Sequence, residues 1–325
     1  MSIVPSGFGP DSTTDEVLAG IDLRGRTALV TGATGGLGLE TARALATHGA
    51  EVILAGRDAT KLAAAVTALR AQTGSEHLHT TTLDLVDLAS VRACAADVTA
   101  RFPTIHLLIN NAGVMACPLG RSKEGCELQF ASNHIGHFLL TCLLSYPPAS
   151  RLIAGAPARV VILSSGGHKY SAIDFDDPHF TRRPYDKWQA YGQSKTANAL
   201  FAVALNRRLA SRGVTANAVH PGVIVTELGR HLTPEDIQQM SSKGTTMDGR
   251  RFHFKSIPAG AATTLWAATS PLLEGRGGQY LEDCNIAEVG VPGSAAGYLP
   301  YAIDVDAAER LWALSEQIVG QTFAL

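Results

Sequence analysis

The chain contains 325 residues, of which 46% are hydrophobic and 17% are charged. This balance excludes a disordered chain and suits one large domain or two modest ones. The chain contains 27 Lys and Arg and 29 Asp and Glu, so its net charge is −2. This charge argues against a surface that neutralises nucleic-acid phosphates.

Short β-rich runs alternate with helical patterns after a polar amino-terminal segment. Residues 1–23 are predicted to form an arm on the surface, and residues 24–325 a single domain. The predicted strands are TALVTG, EVILAG, HLHTTTLDL, HLLIN, RVVILSS and VTANAVHPG. The predicted helices are LETARALATHG, a helix from Asp58, DLASVRACAADVTARF, 128–144, 191–211 and 307–319. This alternation predicts an α/β fold: a Rossmann-type doubly wound sheet of about seven parallel strands, covered by helices on both faces.

Two long segments interrupt the alternation. One spans about 166–190, between a strand and its helix, and the other spans about 227–258, after the sixth strand. Connections of this length inside a compact domain are usually lids or binding loops. Both segments are therefore predicted to be substrate loops.

Glycines at the first strand-to-helix junction predict a dinucleotide site. In TGATGGLG, Gly32, Gly36 and Gly38 permit a tight turn and a close approach of the backbone to a pyrophosphate at a helix N-terminus. Thr34 and Leu37 of the same turn are expected to contact the cofactor as well. The alternative is a plain glycine-rich turn.

The end of the second strand favours NADP(H) over NAD(H). An acidic residue at this point binds the adenosine 2′-hydroxyl, whereas an arginine accommodates a 2′-phosphate. The sequence has glycine where the acid is expected, followed by Arg57. The alternative is that Arg57 merely flanks the next helix, with Asp58 as its N-cap.

Two further strand ends supply candidate cofactor contacts. Asp84 and Leu85 end the third strand, and Asp84 is placed to receive the adenine amino group. Asn111, Ala112 and Gly113 follow the fourth strand and are placed to line the cofactor with backbone groups. Either group has a structural alternative as a cap or a turn.

A tyrosine and a lysine share one helix face in YGQSK. Tyr191 and Lys195 are four positions apart, which places them on the same side of the predicted helix. Because a nearby ammonium favours the phenolate, the pair suits a tyrosine acting as acid or base near neutral pH. The alternative is a surface pair without a role.

Five motifs together resemble the short-chain dehydrogenase/reductase superfamily. They are T-G-x-x-x-G-x-G at 31–38, N-N-A-G at 110–113, S-S at 164–165, Y-x-x-x-K at 191–195 and P-G at 221–222. The stretches NNAGVMACP, NHIGHFLLT, ARVVILSS and VTANAVHPGVIVTEL are most similar to the branch that contains retinol dehydrogenases, the WW-domain oxidoreductase and related plant and bacterial reductases. The resemblance covers about 24–230 strongly and the carboxy-terminal third weakly.

The resemblance implies four catalytic residues. Tyr191 would be the general acid or base, and Lys195 would bind the nicotinamide ribose and lower the pKa of the tyrosine. Ser165, rather than Ser164, would hydrogen-bond the substrate carbonyl. Asn133 would hold a water in the proton relay, and its alternative is an ordinary polar residue inside a helix.

The resemblance also assigns the loop after the sixth strand to the cofactor. Pro221, Gly222, Val223, Ile224 and Thr226 would contact the nicotinamide and the pyrophosphate. The residues after this loop would form a mobile lid.

The segment between Ser165 and Tyr191 would form a wall of the substrate site. It contains Tyr170, Ile173, Phe175 and Trp188. These side chains suit a bulky apolar carbonyl compound or alcohol. Their alternative role is to anchor the loop itself.

A metal site is not expected. His134 and His137 share a helix face, yet no third ligand lies nearby in sequence, which favours packing or capping for both. Cys117 is expected to act as a small apolar residue, and its alternative is to face the substrate.

Cysteine spacing and terminal composition bear on the compartment. The five cysteines form no C-x-x-C pair, which favours free thiols in a reducing compartment. The first 16 residues lack the pattern of a secretory signal, and no apolar stretch reaches the roughly 18 residues of a membrane helix. We therefore predict a cytoplasmic protein without a membrane span.

These features predict an NADP(H)-dependent oxidoreductase acting on a lipophilic aldehyde, ketone or alcohol. Its expected partner is a small-molecule substrate and not nucleic acid, and the oligomeric state is left open among monomer, homodimer and tetramer. One alternative is a non-catalytic NADP(H)-binding regulator or scaffold of the same fold. Another is an epimerase or dehydratase of a nucleotide sugar, whose G-x-x-G-x-x-G motif and larger carboxy-terminal domain are not evident here.

Overall fold

Parallel strands form the centre of the molecule, in a computed structural model that describes residues 5–147, 150–236, 238, 254–291, 294 and 296–325. Within these ranges the strands are β1 Thr27–Thr31, β2 Glu51–Gly56, β3 Leu78–Thr82, β4 Leu107–Asn110, β5 Ala158–Leu163, β6 Val214–His220, β7 Tyr280–Glu282 and β8 Asn285–Ile286. They form one sheet in the order β3-β2-β1-β4-β5-β6-β7-β8.

The predicted doubly wound sheet of about seven parallel strands is confirmed. Strands β1 to β7 pair in parallel, and β8 adds a short antiparallel edge to β7. Asp283 and Cys284 join β7 to β8 with φ of +49° and +57°. Two successive positive φ values are the geometry of a tight hairpin turn, and the sequence here lacks the glycine that usually signals one.

Helices cover both faces of the sheet. Those of the described residues are α1 Thr14–Leu18, α2 Gly36–Thr47, α3 Ala59–Thr73, α4 Leu88–Arg101, α5 Leu128–Phe130, α6 Gly136–Ser145, α7 Arg151–Ala154, α8 Lys187–Leu209, α9 Ile257–Thr269 and α10 Val305–Val319. The helix predicted over 128–144 is interrupted by a π turn at Ala131–Ile135. No helix of the described ranges is long and apolar enough to cross a membrane.

The strands separate two apolar cores. Leu29 of β1 packs with α4, α6, α8 and α10 on one face, whereas Ala28 and Val30 pack with α2, α3 and α9 on the other. All five residues of β1 are buried, which is the pattern of a parallel strand covered on both sides. The five cysteines are buried free thiols, as their spacing predicted.

The amino-terminal arm is attached through one apolar face. Thr13 and Glu16 form a reciprocal capping box at the start of α1, and Val17 and Leu18 enter the core beneath α9. Farther along the sheet edge, the Asn285 side chain accepts a hydrogen bond from the Ser6 amide and donates one to the Phe8 carbonyl.

The two predicted loops follow β5 and β6. The first begins with a 3₁₀ turn at Gly166–Tyr170 and runs to the start of α8. The second begins with a 3₁₀ turn at Glu227–Gly229. Residues 237 and 239–253 of the second loop lie outside the described residues.

Candidate active site

The turn between β1 and α2 can be built only with glycine at its key positions. Gly32 and Gly36 have φ of +66° and +54°, a region that side chains disfavour. A Cβ on Gly38 would lie 2.3 Å from the Gly32 carbonyl oxygen. No side chain caps the helix at Gly35, so the first amides of α2 are available to an anion.

Asn111 joins this turn to the end of β4. Its Nδ2 donates to the Thr31 carbonyl at 2.8 Å, and the Asn111 and Ala112 amides donate to Thr31 Oγ1 at 2.9 and 3.0 Å. A Cβ on Gly32 would lie 2.9 Å from Ala112 Cα. The N-N-A-G segment therefore packs directly against the glycine turn, as a shared cofactor site requires.

The loop after β6 reaches the same turn from the other side. A Cβ on Gly36 would lie 3.5 Å from Thr226 Cγ2. Ile224 and Leu37 meet over Gly260 of α9, where a Cβ would lie 2.6 Å from Ile224 Cγ1 and 2.9 Å from Leu37 Cδ2. Three segments distant in sequence thus meet beside the glycine turn.

The remaining residues of this loop pack toward the start of α9. Gly222 has φ of +92°, and a Cβ there would lie 2.7 Å from Lys255 Cε. The Val223 carbonyl accepts a hydrogen bond from the Lys255 amide at 2.9 Å. Pro221 and Val223 are half-buried beside it.

At the end of β2, Asp58 and Arg57 have separate roles. Asp58 Oδ1 caps α3 by accepting hydrogen bonds from the Thr60 and Lys61 amides at 2.9 and 3.0 Å. Arg57 is exposed to solvent. Thr34 lies next to the preceding residue, since a Cβ on Gly56 would be 3.4 Å from Thr34 Cγ2.

At the end of β3, both candidate residues make structural contacts. Asp84 Oδ1 accepts a hydrogen bond from the Val86 amide at 3.0 Å, which is the turn alternative raised by the sequence. The Leu85 side chain is buried, and a Cβ on Gly136 would lie 2.3 Å from the Leu85 carbonyl oxygen.

The two consecutive serines after β5 face different partners. Ser164 Oγ donates to the Lys195 carbonyl at 2.8 Å and is thereby used within the core. Ser165 Oγ accepts a hydrogen bond from the Gly167 amide at 3.0 Å, which leaves its own O–H free to donate. The Ser165 hydroxyl also acts on Tyr191, whose pKa it lowers. Ser165 is thus the serine beside the phenol.

Tyr191 and Lys195 lie one turn apart on α8, and both are almost fully buried. Burial raises the pKa of Tyr191 to about 12, against a smaller lowering by the Ser165 hydroxyl. Burial lowers the pKa of Lys195 to about 8. Lys195 Nζ donates to the Leu163 carbonyl at 3.0 Å and lies 5.7 Å from the Tyr191 ring centroid. Burial therefore dominates the pKa of the phenol, and Lys195 is not among the groups that lower this pKa in the folded chain.

Asn133 lies in the π turn, where its side chain is fully engaged. Its Nδ2 donates to the Val114 carbonyl and to Ser194 Oγ, both at 2.9 Å, and its Oδ1 accepts from the Val114 amide at 2.8 Å. A Cβ on Gly113 would lie 3.1 Å from Asn133 Oδ1 and 3.6 Å from Lys195 Nζ. Asn133 thus holds the segment after β4 against α8.

The paired histidines of this region bind side chains and backbone. His137 Nδ1 donates to the Asn133 carbonyl at 2.9 Å, so its Nε2 accepts from Thr31 Oγ1 at 2.9 Å. His134 Nε2 donates to Ser315 Oγ at 2.8 Å. Within the described ranges, no group of three His, Cys, Asp or Glu side chains is arranged to hold a metal.

The predicted substrate wall divides into two parts. Tyr170 is 57% exposed and makes an edge contact with Trp188 at 5.8 Å between ring centroids. Ile173 and Phe175 pack against the core and anchor the loop.

Cys117 is a buried free thiol. Burial raises its pKa to about 11, which keeps the thiol protonated and inert.

Sequence reasoning missed three side chains beside Ser165. His168, His220 and Tyr280 contact the backbone of the loop that carries the serine. The S-S-x-x-H and H-P-G patterns were the available signals, but the contacts of His220 and Tyr280 with the loop, and that of His168 with Leu299, join residues 54 to 131 positions apart. Spacing along the chain does not encode such contacts.

Comparison with known proteins agrees with this geometry. The short chain dehydrogenase family model matches residues 26–237. A probable oxidoreductase of Streptomyces lividans is 43% identical over 90% of this chain and 97% of its own length. Human retinol dehydrogenase 13 is 42% identical over 91% of this chain and 85% of its own.

A solved structure extends the likeness to the whole chain. A protein from Mycobacterium paratuberculosis, solved by crystallography and described as uncharacterized, superposes with a TM-score of 0.71 at 34% identity. It covers 97% of this chain and 100% of its own. The chain therefore belongs to the short-chain dehydrogenase family of oxidoreductases and resembles its retinol dehydrogenase branch.

Proposed function

We propose that the protein is an NADP(H)-dependent oxidoreductase that interconverts a lipophilic carbonyl compound and its alcohol, with Tyr191 as general acid or base. The observation that carries this proposal is the placement of Ser165 beside the buried Tyr191 ring: a Cβ on Gly167 would lie 2.6 Å from Tyr191 Cε1 and 3.4 Å from Ser165 Oγ. Lys195 and Asn133 both lie next to Gly113, in the N-N-A-G segment that packs on the glycine turn.

The residues present fit a dinucleotide. Side chains at Gly32 or Gly38 would collide with Ala112 or with the Gly32 carbonyl, so the tight turn that precedes α2 depends on glycine. The uncapped amides of α2 are available to the charge of a pyrophosphate. The exposed guanidinium of Arg57 favours NADP(H), because it is free to pair with a 2′-phosphate, whereas Asp58 is occupied as a cap. When bound, the nicotinamide supplies or takes up the hydride of the reaction.

The protein side chains handle the carbonyl oxygen and the proton. The Ser165 oxygen accepts the Gly167 amide, which leaves its O–H available to donate to the carbonyl oxygen of the substrate. A phenol with a pKa of about 12 is protonated at neutral pH, so Tyr191 is in the state that protonates an alkoxide during reduction. Lys195 adds a buried ammonium that stabilises negative charge nearby.

The aromatic edge formed by Tyr170 and Trp188 supports a lipophilic substrate. This edge is open to solvent at Tyr170, whereas the rest of the segment anchors itself in the core. Burial of the cysteines as free thiols supports the cytoplasm as the compartment of this activity.

The test is turnover with a panel of aldehydes, ketones and alcohols, followed as NADPH oxidation or NADP⁺ reduction. Tyr191→Phe is expected to abolish turnover. Ser165→Ala is expected to lower kcat by about 10²-fold or more, the loss typical of a missing oxyanion donor. Ser164→Ala is the matched control, because it removes the neighbouring hydroxyl and leaves Ser165 in place. Turnover that survives in Tyr191→Phe would contradict the mechanism, and tight NADPH binding without turnover would indicate the non-catalytic alternative.

A further inference from the structure

The short segment Ser165–Gly167, called the serine loop below, ends in two consecutive glycines. Gly167 cannot carry a side chain, because a Cβ there would lie 2.6 Å from Tyr191 Cε1. Glycine backbones lose more conformational freedom on ordering than any other residue, so the loop has little intrinsic stiffness. A serine that must be held close to its reacting geometry therefore needs support from outside the loop.

His220 supplies that support from the cofactor side. It ends β6, and its Nδ1 accepts hydrogen bonds from the Gly166 amide at 3.1 Å and from the Gly222 amide at 3.3 Å. One imidazole nitrogen thus joins the serine loop to the loop that begins at Pro221. An acceptor at Nδ1 places the proton of the neutral ring on Nε2.

His168 supplies support from the opposite side. Its Nε2 accepts a hydrogen bond from the Leu299 amide at 3.2 Å, so its Nδ1 carries the proton and donates to the Ser165 carbonyl at 2.7 Å. The Tyr280 hydroxyl donates to the same carbonyl at 2.9 Å, and the Tyr301 hydroxyl donates to the His168 carbonyl at 2.8 Å. Leu299, Tyr280 and Tyr301 all lie beyond the residues that the family model matches.

Both rings are neutral at physiological pH. Burial, together with the nearby Lys255, His168 and Lys169, lowers the pKa of His220 to about 3. Burial and Lys169 lower the pKa of His168 to about 4, against a smaller opposing effect of its bond to Ser165. Each ring therefore keeps one donor and one acceptor, in opposite tautomers.

We propose that His220 and His168 are positioning residues that fix the Ser165 hydroxyl between the cofactor loop and the carboxy-terminal segment. The inference rests on the proposed function, since it concerns how the serine is aimed at a carbonyl oxygen. The residues beyond the family match also contribute to the proposed reaction. Through Leu299 and Tyr280, these carboxy-terminal residues set the position of Ser165.

Kinetics of His220 variants test this assignment. His220→Ala is expected to lower kcat about 10-fold to 100-fold with little change in the KM of the carbonyl substrate, because a displacement of about 1 Å costs this much in rate. His220→Asn keeps an acceptor near the position of Nδ1 and is expected to restore most of kcat. His106→Ala is the matched control: His106 Nδ1 also accepts a backbone amide, that of Thr27 at 2.9 Å, at the start of β1.

A purely structural role for His220 predicts another pattern. The alanine variants at 220 and 106 would then both lose thermal stability, with unchanged kcat per folded molecule and no rescue of kcat by asparagine. That pattern would overturn the proposal.

Imidazole ¹⁵N NMR of the wild-type protein tests the geometry without any substrate. The expected result at neutral pH is a proton on Nε2 of His220 and on Nδ1 of His168; the reverse assignment at either ring would overturn the proposal. Hydrogen exchange should show the Gly166 and Gly222 amides exchanging faster in His220→Ala, and unchanged exchange would also overturn it. If the wild type reduces no carbonyl compound, the proposed function fails, whereas these two measurements still decide whether the histidines hold the loop.

Discussion

Buried neutral histidines should make the fold sensitive to mild acid. His134, His137 and His168 are fully buried, and burial lowers their pKa values to about 3, 4 and 4 from the ordinary 6.5. In the unfolded chain these rings take up protons below about pH 6.5, whereas in the folded chain they stay neutral. Their contribution to stability is therefore present above pH 6.5 and is lost as the pH falls toward 4.

The magnitude follows from the size of the shifts. Each ring loses about 1.4 kcal/mol of stability per pH unit below 6.5, so three rings lose about 4 kcal/mol between pH 7 and 5.5. His220 is shifted in the same direction but is partly exposed, and it adds less. Lys195 stays charged throughout this window and contributes nothing to the change.

Two carboxyl groups oppose this loss, that of the buried Glu127 and that of the half-buried Glu282. Burial raises the pKa values of Glu127 and Glu282, so the folded state takes up their protons before the unfolded state does. Acidification strengthens their contribution and offsets part of the histidine effect. A net loss of several kcal/mol is a large share of the roughly 5–15 kcal/mol that stabilises a typical domain.

Urea unfolding at pH 7.0 and 5.5 measures the effect as a difference in the free energy of unfolding. His134→Phe is the informative variant, because His134 lies among Phe130, Phe138 and Phe201 and its Nδ1 has no partner within the described residues. Phenylalanine should fit this aromatic site and reduce the pH dependence by about 1.4 kcal/mol per pH unit. Equal stability of the wild type at both pH values, or an unchanged pH dependence in the variant, would refute the reasoning.

Three further outcomes are expected. Gly167→Ala should lower kcat by about 10²-fold, because its Cβ must displace the Tyr191 ring. Steady-state kinetics measure this change, and a wild-type kcat in the variant would show that the ring moves freely. Arg57→Glu should weaken NADPH binding about 10-fold to 100-fold and leave NADH binding little changed, as measured by fluorescence titration; an equal loss for both cofactors would contradict the assigned contact. Light scattering should give a monomer mass near 34.2 kDa, because α10 covers α8, with the Trp312 ring centroid 6.2 Å from that of Phe201. A dimer that pairs through α8 would contradict this expectation.

Local motifs predicted the parts of the site where backbone geometry dictates the residue. Gly38 leaves no room for a Cβ, and Gly32 combines a positive φ with a close approach to Ala112. Such constraints act within a few residues and therefore leave a readable pattern in the sequence. The spacing of Tyr191 and Lys195 is equally local, since two residues that are four positions apart on a helix share one face.

Contacts between distant segments left no comparable pattern. His220 binds an amide 54 positions away, and His168 binds one 131 positions away. A histidine inside an apolar run of sequence is equally compatible with packing, with capping and with binding a metal. Its role depends on the group that it contacts in the folded chain. The π turn that divides the helix predicted over 128–144 is similarly set by the packing of Gly136 on Leu85 and by the bonds of Asn133 to Val114.

The pKa of Tyr191 shows how packing can reverse a local argument. Considered as a helix pair, Lys195 should lower this pKa; in the folded chain both groups are almost fully buried, and the cost of burying a phenolate raises it to about 12. The same burial lowers the pKa of Lys195 to about 8, which brings that group closer to neutrality than a surface lysine. The protein alone therefore keeps the phenol protonated, the state in which the proposed mechanism uses it for reduction. In that mechanism the oxidation of an alcohol uses the phenolate, so we expect the rate of oxidation to rise with pH well above neutrality, whereas reduction should not need alkaline conditions.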